Sequence, residues 1–100
     1  MIKHIVLFRL KESAIGRSKE ENMQELKVRL EALQAKIPIV KSLEVGINMG
    51  ASASASDIAI YSEFDDIQAL EEYRVHPEHV KIVEFIDKVC SERRVADYEV

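Results

Sequence analysis

Tryptophan is absent, cysteine occurs once, and only two prolines and three glycines punctuate 100 residues. A single cysteine, Cys90, excludes an internal disulfide and a disulfide-stapled scaffold; it suits a reducing cytosol, so a cytoplasmic location is expected. Its own role is that of a small buried hydrophobe. Few glycines and prolines, with 47% hydrophobic and 32% charged residues, exclude long disorder. No apolar run approaches the roughly 20 residues that cross a bilayer. The leading apolar segment is interrupted by Lys3, His4, Arg9 and Lys11, which argues against a signal peptide. Net charge is −4 and no basic stripe exists, so neither nucleic acid nor membrane is an expected partner. A glycine-rich phosphate loop and a CxxC metal signature are both missing.

What is present reads as one domain over residues 1–100. Ile2 to Leu10 alternates as a strand, with Ile2, His4, Val6, Phe8 and Leu10 on one face. Its other face, Lys3, Ile5, Leu7 and Arg9, is apolar at the centre. Ser18 and Glu21 form a capping box that opens a helix to about Lys36. Met23, Leu26, Leu30, Leu33 and Ile37 make its apolar stripe, and Pro38 stops it. A strand is expected over 40–49, then a mobile loop of Gly, Ala and Ser over 50–56, then a strand over 57–64. Asp65 and Gln68 suggest a cap for a short helix carrying Ile67, Leu70 and Tyr73 inward. Pro77 breaks it and begins another, with His76 near the cap and His79, Ile82, Val83, Ile86 and Cys90 on one stripe. A last strand is expected over 95–100.

The order β-α-β-β-α-(α)-β predicts an α+β, ferredoxin-like fold: a four-stranded antiparallel sheet with helices on one face. The opposite face would then leave Ile, Val and Leu side chains uncovered over more area than a soluble monomer tolerates. A second copy packed sheet to sheet is the economical cover, so a homodimer is expected.

Chemistry concentrates in Tyr73-Arg74-Val75-His76-Pro77-Glu78-His79, which holds two of the three histidines; His4 is the third. Histidine titrates near neutrality and is the usual proton carrier. Bland uses exist for each residue. His76 serves as a cap, His79 as a donor to Asp97 or a backbone carbonyl, Tyr73 as core, and His4 as a strand residue needing some polar partner. A metal held by His76, Glu78 and His79 is disfavoured, because the set is incomplete for zinc and spans a helix boundary.

The opening Ile2-Lys3-His4-Ile5-Val6-Leu7-Phe8-Arg9-Leu10-Lys11, Ile37-Pro38, Gly46 with Asn48, the Tyr73–Val80 turn and Asp97-Tyr98 together resemble the stress-responsive A/B barrel domain. The resemblance implies a dimeric α+β barrel in which two sheets pair. It also links the chain to plant heat-stable stress proteins and to olivetolic acid cyclase, which closes a polyketide by an aldol reaction. By that likeness His79 would be the general base, Tyr73 would assist at the carbonyl oxygen, His4 would line the same cavity, and Asp97 would hold the catalytic imidazole. No cofactor is implied, and the expected ligand is a small hydrophobic or carbonyl compound. The competing expectations are a binding protein with that pocket and a structural oligomer.

Overall fold

The computed structural model describes all of residues 1–100. Strand β1 (Ile2–Leu10) follows the alternation read above, with Ile2, His4, Val6, Phe8 and Leu10 all buried. A small hairpin comes next, β2 (Ser13–Ala14) and β3 (Arg17–Ser18), which was not expected. Its turn uses Ile15 at φ 48° and Gly16 at φ 74°, both left-handed. Two consecutive positive φ values match the twist of a tight hairpin, but a β-branched residue adopts that conformation only with strain.

Helix α1 (Lys19–Glu31) starts on the expected capping box: the Glu21 amide donates to Ser18 Oγ at 3.2 Å, and the Ser18 amide to Glu21 Oε1 at 3.0 Å. These bonds hold the Glu21 carboxyl below its ordinary pKa. The helix pauses at Ala32 and resumes as α2 (Leu33–Lys36), so the single expected helix is two segments. Leu26, Leu30, Leu33 and Ile37 are buried as their spacing demands. Asn22, also buried, donates to the Ala14 carbonyl at 3.1 Å and ties α1 to the hairpin.

Strands β4 (Ser42–Ile47) and β5 (Ile58–Phe64) pair antiparallel, both shorter than expected. The Ala/Ser loop between them receives the Arg9 guanidinium on the Ala53 and Ala55 carbonyls, at 3.3 and 3.0 Å. Asp57 closes the loop: its carboxylate accepts from the Leu10 amide at 2.8 Å and pairs with Lys19 at 3.3 Å.

Helix α3 (Ile67–Val75) is capped by Asp66, whose side chain accepts from the Ala69 amide at 2.9 Å. The expected cap, Asp65, instead pairs with Lys41 at 3.1 Å. Ile67 is 49% exposed, while Leu70 and Tyr73 are buried. Helix α4 (Pro77–Val89) buries Ile82, Phe85, Ile86 and Val89. Strand β6 (Cys90–Glu99) starts five residues before the expected Val95, directly from the end of α4.

The fold is ferredoxin-like, with sheet order β4-β5-β1-β6 and every neighbour antiparallel. Helices cover the face that holds Val6, Ile60 and Phe64. Register and pleat place Lys3, Ile5, Leu7, Glu44, Ala59, Tyr61, Glu63, Arg94, Ala96 and Tyr98 on the open face. That face is less greasy than expected. Only Ile5 and Leu7 of the sheet's Ile, Val and Leu residues point there, because Leu43, Val45 and Ile47 of β4 face the helices with Ser62, Ile60 and Ile58. An apolar centre is rimmed by charge, including Lys3 over the Tyr61 ring and a 2.6 Å bond from the Tyr61 hydroxyl to Glu63. No helix is long and apolar enough to cross a membrane.

Candidate functional site

A cavity of about 460 Å³ lies between the sheet and the α3–α4 corner. Its walls are mainly apolar, with Val6, Phe8, Ile60, Ile82 and Ile86 among them; its polar groups are His4, Tyr73, Arg74, His79 and Arg93. Each polar group arrives from a defined place. His4 is at the middle of β1, Tyr73 and Arg74 end α3, His79 lies in the first turn of α4, and Arg93 is on β6.

The α3–α4 corner depends on one side chain. His76 ends α3 and caps α4, with Nδ1 accepting from the Glu78 amide at 3.1 Å. It belongs to the turn, and its imidazole does not line the cavity. Pro77 at the first helical position needs no amide partner, so the corner is tight. Tyr73 and His79, from either side of the corner, therefore meet with ring centroids 4.5 Å apart and planes tilted by 52°. The His4 ring stands edge-on to Tyr73 at 6.0 Å. The Tyr73 ring is thus a neighbour of both imidazoles.

Asp97 is not the residue that holds His79. Its Oδ1 accepts from His4 Nδ1 and its Oδ2 from the Arg74 guanidinium at 2.7 Å. The reason is register, since β6 pairs with β1 so that Asp97 stands directly opposite His4. His79 Nδ1 donates instead to the Arg74 backbone carbonyl at 3.0 Å. A carbonyl can only accept, so Nδ1 carries the proton and Nε2 keeps a lone pair. Both imidazoles are thereby oriented through Nδ1, leaving Nε2 as the free ring nitrogen.

Burial pushes the His79 pKa below its ordinary value. The Arg74 carbonyl bond opposes this, while the nearby charges of His4, Arg93 and Arg74 reinforce it. Burial alone drives the Tyr73 phenol far above its ordinary range, so it remains a neutral donor. The Cys90 thiol, pushed up to about 11 chiefly by burial, is likewise neutral.

Arg74 and Arg93 were missed by sequence reasoning. Arg74 sat in plain view inside the Tyr73–His79 motif, and a cation beside an aspartate-dependent histidine was the available signal. Arg93 was missed because β6 was expected to start at Val95; once the strand is extended, Arg93, Val95 and Asp97 fall on one face.

Comparison with known proteins agrees with this architecture. The model of the stress responsive A/B barrel domain matches residues 2–100. The chain belongs to that family. An uncharacterised protein from Streptomyces coelicolor is 34% identical over 79 residues, 79% of each chain. A dimeric protein of unknown function and ferredoxin-like fold from Bacteroides fragilis is 38% identical, with TM-score 0.86 over 99% of this chain and 95% of that one. Hydroxynitrile lyase from Passiflora edulis superposes with TM-score 0.84 over 99% of this chain and 92% of its own, at 18% identity. At that identity the likeness is one of fold alone.

Proposed function

We propose that this A/B barrel protein binds a small, mainly apolar carbonyl compound and moves a proton on it without a cofactor. The observation that carries the reading is the Tyr73 phenol close to two imidazoles, each with a free Nε2, in a mostly apolar cavity. A volume of about 460 Å³ lies within the range of small-molecule sites.

In this reading His79 Nε2 takes a proton from the carbon beside the carbonyl. The proton moves to nitrogen and the electron pair to the carbonyl oxygen, forming an enolate. Tyr73, kept neutral by burial, donates a hydrogen bond to that oxygen. The enolate then reprotonates or attacks a second carbonyl of the same molecule. His4, oriented by Asp97 and also close to the phenol, is the second proton carrier. A positioned base of this kind contributes about 10²–10⁴-fold.

We further propose that two copies pair through the open sheet faces into a dimeric barrel. Ile5 and Leu7 at the centre of an otherwise uncovered face support this, as does the dimeric state of the Bacteroides fragilis relative.

The test uses 2-octanone in D₂O, with exchange of its α-protons followed by NMR. The wild-type protein should accelerate exchange, and His79→Ala should lose about 10²-fold or more of it. Binding without exchange would reduce the protein to a carrier. Neither binding nor exchange would remove the reading.

A further inference from the structure

We propose that the compound taken by this cavity carries a carboxylate, and that Arg93 is the residue that binds it. The inference rests on the cavity being a ligand site, as proposed above, and adds the chemical class of the ligand.

Charge pairing carries it. Arg9, Arg17, Arg29, Arg74 and Arg94 each have a carboxylate partner on the chain. Arg93 has none, in a chain whose acids outnumber its Lys and Arg by 18 to 14. Yet Arg93 is the arginine that joins Arg74 in lining the cavity. It stands opposite Phe8 in the β1–β6 ladder, on the face turned toward the helices.

The cavity's other arginine is already engaged. The Arg74 guanidinium is taken up by Asp97 at 2.7 Å and Glu71 at 3.9 Å. His79 is held toward its neutral form by burial. Arg93 is the guanidinium of the cavity that no carboxylate of the chain holds, and it stands beside mainly apolar walls.

Beside apolar walls a phosphate dianion loses more hydration than one guanidinium returns, which favours a monoanion, and the planar fork matches a carboxylate through two parallel hydrogen bonds. The ligand is therefore an amphipathic monocarboxylate. Its apolar body lies toward Phe8 and Ile86, and its charged end lies at β6.

Isothermal titration of the full-length protein with octanoate, octanamide and octyl phosphate tests this. The three probes share one apolar body and differ in the head group. Octanoate should bind about tenfold or more tightly than octanamide, since a charge-assisted bond replaces a neutral one. It should also bind more tightly than octyl phosphate. Arg93→Ala should erase the preference by weakening octanoate far more than octanamide, and Arg93→Lys should keep part of it. Arg93 is exposed and has no carboxylate partner on the chain, so neither substitution breaks an ion pair.

Equal binding of octanoate and octanamide to the wild type would overturn the proposal without any variant, and so would a preference for octyl phosphate. Unchanged octanoate affinity in Arg93→Ala would overturn it too, most tellingly if the variant's dimer dissociated, for then Arg93 serves a carboxylate of the partner copy. Should octanamide and 2-octanone bind while the preference is absent, only the carboxylate fails. Should none of these bind, the ligand cavity itself fails.

Discussion

Asp97 faces His4 across the β1–β6 ladder, and its carboxylate accepts from Nδ1 of that imidazole while its other oxygen takes the Arg74 guanidinium. One side chain thus satisfies a buried ring and a cation from a different element. Strand register, helix end and candidate chemistry meet in a single carboxylate.

Asp97→Ala should leave both partners unsatisfied and destabilise the chain by about 1.5–3 kcal/mol, the usual scale for hydrogen bonds to charged groups. Denaturant unfolding should show a lower midpoint with an unchanged slope. A midpoint equal to wild type would show that neither bond contributes to stability.

The pH dependence of stability should report His79. Its folded pKa lies below the unfolded value of 6.5, so the unfolded chain binds more protons as the solution is acidified. The contribution is fully present above pH 6.5 and is lost as pH falls from there toward the folded pKa. Wild type should therefore weaken more steeply than His79→Gln between neutrality and mild acid. Parallel stability curves for the two proteins would contradict the depressed pKa.

Ile15→Asn should stabilise the protein. Ile15 holds φ 48° in the β2–β3 turn and is 54% exposed, so the change relieves strain while losing little burial. Asparagine enters the left-handed region far more readily, and a gain of about 1 kcal/mol is expected, read as a rise in melting temperature. A lower melting temperature would mean that the isoleucine packing outweighs the turn strain.

Ile5→Arg should break the proposed sheet-to-sheet pairing, since it sets a charge at the centre of the open face. Sedimentation should show wild-type dimer and variant monomer at micromolar concentration, with helix content retained. A variant that still sediments as a dimer would place the interface elsewhere.

Much of this fold was legible in the sequence because its signals are local. Ser18 with Glu21 is a capping box whose two halves are three residues apart, and Pro77 both ends and begins a helix. The alternation of Ile2 through Leu10 fixed the inner face of β1. Where two readings competed within a residue or two, the pattern was silent. Asp65 and Asp66 are equally good caps, and only packing chose between them. The start of β6 was hidden because Cys90 to Arg94 lacks apolar alternation, and its strand character comes from pairing with β1 rather than from its own side chains. That single omission also concealed Arg93. The grouping of His4, Tyr73 and His79 was visible as residue types, but their partners depend on register, which no local pattern encodes.

The two halves of the candidate site mature on different schedules. Tyr73 and His79 are six positions apart and become neighbours as soon as the bend between them forms. His4 and Asp97 are 93 positions apart and touch only once the opening and closing strands zip together. A chain caught before that zipping would already own its tyrosine and one imidazole, yet it would lack the aspartate-anchored ring, so competence should be the last property gained during folding and the first to vanish when the terminal strands fray.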